Sequence, residues 1–307
     1  MGVIPFSPDL RNGFALPMRF PKNRRLGRFE GAPSPLGKKC FRCGQTLEES
    51  GNFMKQARLP KSFAFRTAKD LIRVGKSHDG GYLIASNDID QTDLLISLGV
   101  NDDWSFEEHF QTLHDTQIIS YDGSISERIF RKQFRKSILS AENPAKTIRK
   151  LKSWLGYRSF FSQPNVQHVQ KFVGMETDDT RYCSLSQILE GRTESNIFLK
   201  VDIEGSEYRI FEDLIRHQHR LTGLAIELHD CDLHLQSICH LIHSLRLNLV
   251  HIHANNWGLI RTHDQLPTVL ELTFSRYGDL SEEMLLPHDL DMPSNGCEQE
   301  ILLKIED

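Results

Sequence analysis

The chain has 307 residues, of which 39% are hydrophobic and 25% charged, and its formal net charge is −4. This composition is typical of a globular protein with a sizeable core. The longest apolar runs, such as residues 94–98 and 224–228, are far shorter than the roughly 20 residues that a membrane-spanning helix needs, and the negative charge argues against a general nucleic-acid binder.

Residues 1–60 are rich in proline, glycine and arginine without a helical or strand period, and this predicts a flexible N-terminal arm. Cys40 and Cys43 in this arm have the spacing of a zinc knuckle. No second Cys-x-x-Cys follows, so a chance or redox-tolerant pair is the preferred interpretation. The first thirty residues lack the apolar block of a secretory signal, and the six cysteines are widely spaced. We therefore expect a cytoplasmic protein with reduced thiols.

From residue 71 onward, short apolar runs alternate with amphipathic segments, which is typical of βα units around a mostly parallel sheet. The pattern predicts one α/β domain over residues 61–307. The predicted strands cover residues 93–98, 117–121, 168–173, 197–201, 223–228, 248–253 and 268–274. The predicted helices include residues 104–113, 206–217 and 233–247.

A tight turn follows the first of these strands. In open parallel sheets, ligands bind beyond the carboxyl ends of the strands. Gly99 permits close approach of the backbone to a ligand, and the helix that starts after Asp102 and Asp103 supplies free N–H groups. This turn is therefore a candidate ligand-binding loop.

The second strand ends at Asp122, 23 residues after Gly99. This is near the ~20-residue spacing at which a carboxylate accepts the ribose hydroxyls of a nucleoside, although aspartate is also a common turn former. The Gly-x-Gly-x-x-Gly pattern is absent, because positions 101 and 104 are Asn and Trp. A ligand with adenosine but no pyrophosphate is favoured, and dinucleotide oxidoreductases are disfavoured.

The connection between the second and third strands, residues 123–167, is long enough to be a helical substrate lid. Its stretch 125–158 holds ten lysines or arginines against two glutamates, a local charge of +8. Either a solvated helix pair or contact with an anionic substrate or surface explains this charge. Its aromatic residues suit a sugar or belong to the core: Trp154, Tyr157, Phe160 and Phe161.

The fourth strand, residues 197–201, leads into the string Asp202-Ile203-Glu204-Gly205-Ser206-Glu207. This string after an apolar strand resembles the FkbM-type methyltransferases, a branch of the class I S-adenosylmethionine-dependent fold. The similarity extends over roughly residues 70–307. Its further matching pieces are Arg73-Val74-Gly75, Asp79-Gly80-Gly81-Tyr82, Gly99 with Asn101, Leu286-Pro287-His288 and Leu290-Asp291-Met292-Pro293.

The resemblance implies a Rossmann-like sheet of seven mostly parallel strands with helices on both faces and an antiparallel last strand. It also implies S-adenosylmethionine as cofactor and O-methylation as activity. Gly99 and Asn101 would line the methionine and ribose side, Asp122 would hold the ribose, and Asp202 would face the sulfonium. Where most members have an acidic residue before the loop glycine, this chain has Ser97. The methionine amine would then be held by Asp102, Glu107 or Asp202.

For methyl transfer to oxygen, an enzyme must align the methyl donor with the acceptor hydroxyl and remove the hydroxyl proton, so a base is needed. Histidine suits this role because its ordinary pKa is about 6.5. His229, after the fifth strand, is the first candidate and His253, at the end of the sixth, the second, with Glu204 as an orienting or accepting carboxylate. A second interpretation is that Asp202, Glu204, His229 and His253 gather a divalent metal, although we predict no metal site.

We therefore expect an enzyme that methylates a hydroxyl of a neutral or anionic small molecule or glycan, without nucleic acid as partner. Two other classes stay open. A non-catalytic adenosine-ligand-binding protein would need the Gly99 turn and Asp122 but not His229 or Glu204. A metal-assisted hydrolase would use the same acidic and histidine residues, and would lose turnover on chelation.

Overall fold

The computed structural model describes residues 55–140 and 143–306. Cys40 and Cys43 lie outside them. The strands are β1 (Lys55–Leu59), β2 (Leu71–Val74), β3 (Tyr82–Ala85), β4 (Leu94–Leu98), β5 (Gln117–Tyr121), β6 (Val166–Val169), β7 (Phe172–Val173), β8 (Tyr182–Cys183), β9 (Ile197–Val201), β10 (Leu221–Leu228), β11 (Asn248–Ala254), β12 (Leu270–Ser275) and β13 (Ile301–Ile305). The α-helices are α1 (Ser86–Asp90), α2 (Ser105–Leu113), α3 (Glu127–Leu139), α4 (Pro144–Phe160), α5 (Leu185–Glu190), α6 (Phe211–His217) and α7 (Cys231–Ser244).

Seven strands form the central sheet, in the order β11-β12-β10-β9-β4-β5-β6. β12 is antiparallel to both of its neighbours, and the other neighbouring pairs are parallel. From β4 the sheet continues through β5 and β6 on one side. On the other side it continues through β9, β10, β12 and β11. The predicted seven-stranded sheet with an antiparallel last strand is thus confirmed, and its order reverses between β4 and β9.

The sheet is covered on both faces. In β4, Leu94, Ile96 and Leu98 belong to one hydrophobic core, whereas Leu95 belongs to the other, because successive side chains point to opposite faces. Helices α5, α6 and α7 contribute to the first core, and α2, α3 and α4 to the second. Strands buried on both faces read as continuous apolar runs, which is why they were recognisable in the sequence.

Several predicted boundaries differ from the structure. The strand predicted over residues 168–173 is divided into β6 and β7, and β7 pairs with β8 outside the central sheet. The helix predicted over 233–247 begins at Cys231, directly after Asp230 in the left-handed conformation, and ends at Ser244. Residues 55–59, placed in the arm from composition, form β1 in parallel pairing with β13, and Ala57 and Leu59 are buried there.

Helices α3 and α4 lie in the connection between β5 and β6. α3 packs against α4 through ring contacts between Phe130 and Tyr157 and between Phe134 and Trp154, with centroids 5.3 Å and 5.8 Å apart. Tyr157 and Phe160 are buried. These two aromatic side chains therefore belong to the core, the second of the two roles that the sequence left open.

No helix in the described part of the chain is long and apolar enough to cross a bilayer.

Candidate functional site

The carboxyl ends of β4 and β9 are in direct contact. Gly99, directly after β4, has a φ of +78°, and its N–H donates to the Tyr121 carbonyl over 2.9 Å. A Cβ atom at residue 99 would lie 1.7 Å from the carbonyl oxygen of Asp202, directly after β9. Only glycine fits this position, because the backbone has a positive φ and there is no room for a Cβ atom. The structure thus brings Gly99 and Asp202 together, with Asn101 close by at a φ of +49°.

Asp122 holds this turn in place. Its Oδ2 accepts the N–H groups of Val100 and Asn101 at 3.0 Å and 2.7 Å, and its Oδ1 accepts the N–H and hydroxyl of Ser124 at 2.7 Å and 2.6 Å. Burial alone would raise the pKa of Asp122, but the hydrogen bonds from Ser124, Val100 and Asn101 outweigh it and lower the pKa. Each oxygen already has two donors, so a ribose hydroxyl binds here only by replacing one.

A buried polar trio lies beneath the turn. Ser97 donates its hydroxyl to Glu107 Oε1, and Lys200 donates from Nζ to the Gly99 carbonyl over 2.8 Å. Burial raises the pKa of Glu107, although Lys200 and Ser97 oppose it. Burial would lower the pKa of Lys200, but the charges of Asp202, Glu107 and Glu227 outweigh it and raise the pKa.

Lys200 has no predicted role, yet it is the cation at the centre of the site. Its side chain lies 3.7 Å from Asp202 Oδ2 and is almost completely buried. A lysine inside an otherwise apolar strand is an available sequence signal, because lysine is almost never fully buried unless it is paired. Glu107, one of three candidates for the methionine amine, is fully buried, and its Oε1 accepts the Ser97 hydroxyl.

Asp202, Glu227 and His229 converge at the ends of β9 and β10. One ligand atom from each lies within 4.8 Å of the others. Glu227 is held in place because its two oxygens accept hydrogen bonds from Tyr82 Oη at 3.1 Å and Asn255 Nδ2 at 3.0 Å. This arrangement could hold a cation, either organic or metallic.

His229 is oriented by a buried carboxylate. Its Nδ1 lies 3.1 Å from Oε1 of Glu207, and its Nε2 lies 3.6 Å from Glu204 Oε2 and 3.7 Å from Glu227 Oε1. Burial would lower the pKa of His229, but the hydrogen bond to Glu207 and the charges of Glu207, Glu227 and Asp202 raise it to about 9. The predicted pair of His229 and Glu204 is thus brought together, with the imidazole charged at neutral pH.

His253 does not fit its predicted role as second base. Its Nδ1 lies 3.1 Å from Glu271 and its Nε2 lies 3.2 Å from Glu300, and the ring is buried. Burial would lower the pKa of His253, but Glu271 and Glu300 raise it well above the ordinary value. Since both ring nitrogens are engaged by carboxylates, His253 ties β11 to β12 and to the residue before β13.

Asp102 is exposed in the turn before α2. Among the described residues no hydrogen bond or ion pair joins it to Asp202, Glu227 or His229. Of the three candidates for the methionine amine, Asp202 is therefore the one that is partly exposed at the contact between β4 and β9.

The site carries surplus negative charge. Burial, together with Asp202 and Glu271, raises the pKa of Glu227 well above its ordinary value, although His229 opposes this. Burial and the carboxylates Glu227, Asp202 and Glu271 likewise raise the pKa of the Tyr82 hydroxyl. Carboxylates that repel one another in this way are stabilised by a nearby positive charge, so the donor set fits a positively charged ligand.

No protein-family model matches the chain, and no curated protein matches its sequence. Solved structures match parts of the chain at low similarity. The Methanococcus jannaschii fibrillarin pre-rRNA processing protein is 11% identical over 62% of this chain and 69% of its own, with a TM-score of 0.32. Precorrin-6y C5,15-methyltransferase from Geobacter metallireducens is 14% identical over 69% and 94%, with a TM-score of 0.33. The strand order of the sheet, rather than these remote similarities, defines the fold.

Proposed function

We propose that this chain is an S-adenosylmethionine-dependent O-methyltransferase of the FkbM type that acts on a hydroxyl of a small molecule or glycan. The observation that carries the proposal is the contact between Gly99 and Asp202. These residues directly follow β4 and β9, the two strands between which the sheet order reverses. Open α/β sheets bind ligands at the carboxyl ends of strands at such a reversal.

The charges of the site support this cofactor. S-adenosylmethionine carries a sulfonium and an ammonium, and the Asp202 carboxylate supplies matching negative charge. The raised pKa of Glu227 would be lowered by this cation, which would favour the carboxylate form of Glu227 as well. Asp202 would face the sulfonium and the amine, and the turn at Gly99 and Asn101 would pass alongside the ribose. When bound, the cofactor supplies an electrophilic methyl group. The chain's residues hold the acceptor in line and remove its proton.

His229 is the proposed base. Its Nε2 points toward Glu204 and Glu227, while Nδ1 is fixed by Glu207. In the free protein its pKa of about 9 keeps it protonated. A cation beside Asp202 and Glu227 lowers that pKa, because it offsets the charges that raise it. The imidazole is thereby made ready to accept a proton once the cofactor is in place. Glu204, with a 79% exposed side chain, can then pass the proton to solvent.

A labelled-methyl assay tests this function. The full chain is incubated with S-adenosylmethionine carrying a labelled methyl group and a panel of neutral and anionic sugars, with RNA as a further acceptor. We expect label on a hydroxyl compound. We also expect His229→Gln to reduce the rate about 100-fold or more, because a general base typically contributes that much. His243→Gln, on the exposed side of α7, is the matched control.

Label found only in RNA would overturn the proposed acceptor class. Binding of S-adenosylhomocysteine without transfer to any acceptor would favour the non-catalytic adenosine-binding alternative.

A metal-assisted hydrolase is the second candidate, because the ligand atoms of Asp202, Glu227 and His229 lie within 4.8 Å of one another. In that case a divalent cation would take the place proposed for the sulfonium and lower the pKa of a bound water. Calorimetric titration of the chelator-treated protein with Mg²⁺, Mn²⁺ and Zn²⁺ separates the two. Tight metal binding that His229→Gln abolishes, without any response to S-adenosylhomocysteine, would favour the hydrolase.

A further inference from the structure

Helices α3 and α4, which we call the basic hairpin, present a row of cations to solvent. In α3 the exposed lysines and arginines recur at spacings of three, one, three and one, which places them on one face of the helix. They are Arg128, Arg131, Lys132, Arg135 and Lys136. The opposite face carries Phe130 and Phe134, which contact aromatic rings of α4. The cationic row therefore points away from the inner face of the hairpin.

Large aliphatic side chains are exposed beside these cations. Leu139, at the end of α3, is 87% exposed, and Ile138 next to it is more than half exposed. Ile148 and Leu155 of α4 are similarly exposed, and with the exposed Lys152 they form a second row at spacings of four and three. Grouped exposed aliphatic side chains of this kind form a candidate surface for contact with an apolar medium.

An anionic lipid surface supplies both kinds of contact. Its headgroups attract lysine and arginine, and the boundary of its acyl chains accepts leucine and isoleucine. A single-stranded nucleic acid would gain from exposed aromatic rings, on which bases stack. The aromatic residues of the hairpin instead contact one another or the core, and Tyr157 and Phe160 are buried. The combination thus favours a membrane surface over RNA.

The distribution of charge also selects an orientation. The whole chain has a net charge of −4, yet residues 125–158 carry +8, so the rest of the chain is strongly negative. An anionic surface attracts the hairpin and repels the remainder. The folded part of the chain would therefore meet such a surface with the basic hairpin toward it.

We propose that the basic hairpin docks the protein reversibly on anionic phospholipid membranes, with its cations at the headgroups and the exposed aliphatic side chains at the acyl boundary. This inference goes beyond the proposed methyl transfer and does not depend on it.

Vesicle flotation with the full chain tests the proposal. We expect binding to phosphatidylcholine vesicles that contain phosphatidylserine, and far weaker binding to phosphatidylcholine alone. Added salt should weaken the binding, because it screens exposed charges. Two variants probe the two contacts. The charge variant is Arg131→Gln with Lys132→Gln and Arg135→Gln, and the apolar variant is Ile138→Ser with Leu139→Ser and Ile148→Ser.

Removing three cations is expected to weaken binding to the anionic vesicles roughly a hundredfold, and the apolar variant should also bind more weakly. Matched controls change exposed residues elsewhere and should bind like the parent chain. They are Lys61→Gln with Arg66→Gln and Arg246→Gln, and Leu233→Ser with Leu259→Ser. Melting curves of each variant show that the fold is retained.

Three results would overturn the proposal. The first is failure of the parent chain to float with the anionic vesicles. The second is equal binding to both kinds of vesicle. The third is a combination of two findings: the apolar variant floats like the parent chain, and the charge variant loses affinity for a single-stranded oligoribonucleotide. The basic hairpin would then be a nucleic-acid-binding surface.

Discussion

Replacing Gly99 with alanine should destabilise the protein more than the same change at Gly205. Both glycines have a positive φ, +78° and +92°, so each alanine incurs a left-handed strain of ~1–2 kcal/mol. The surroundings differ. At residue 99 the new Cβ would lie 1.7 Å from the Asp202 carbonyl oxygen, whereas at residue 205 nothing lies within 4 Å. Forcing apart β4 and β9 adds a cost of about 1–3 kcal/mol.

The expected loss of unfolding free energy is therefore about 2–5 kcal/mol for Gly99→Ala and about 1–2 kcal/mol for Gly205→Ala. A domain in the middle of the ordinary range of stability, about 5–15 kcal/mol, survives either change. Urea unfolding measures the two losses, and calorimetry with S-adenosylhomocysteine then measures binding by the folded variants. Binding should be lost only in Gly99→Ala, because that change moves the turn. Equal losses of stability, with unaltered binding by both variants, would refute the reasoning.

Three further predictions concern the buried charges. Lys200→Met should cost about 3–5 kcal/mol in urea unfolding, because it leaves buried carboxylates uncompensated, and adding Glu107→Gln should recover part of the loss. In the free protein the His229 imidazole should titrate near pH 9 by NMR, and Glu207→Gln should shift this to lower pH; an unchanged titration would contradict the assigned contact. Since the pKa of His253 is raised on folding, its stabilisation is complete below about pH 6.5 and is lost as pH rises through the folded value. His253→Gln should therefore flatten the alkaline fall in unfolding free energy, and an equally steep fall would contradict the ion pairs.

The sheet could be predicted because its strands are short apolar runs that are buried on both faces. The predicted strands at 117–121 and 197–201 have the bounds of β5 and β9. β1 could not be predicted, since its partner β13 lies at the other end of the chain and only two of its five residues are buried. A short edge strand of this kind has no distinctive pattern in composition.

The candidate site was partly predictable for a similar reason. Residues that directly follow central strands, such as Gly99, Asp202 and His229, meet because parallel strands end at one edge. The partners of each side chain depend on distant segments instead. Glu300 reaches His253 from 47 residues away, and Tyr82 reaches Glu227 from 145 residues away. No local pattern reveals such contacts, and so the sequence suggested His253 as a base where the structure shows an ion pair.

The crystal structure of the chain grown with saturating S-adenosylhomocysteine tests the central claim most directly. The account predicts ligand density at the carboxyl ends of β4 and β9, with the ribose beside the turn at Gly99 and the amino group at Asp202. Well-ordered crystals with that edge of the sheet empty, or with the ligand bound at another surface, would contradict it.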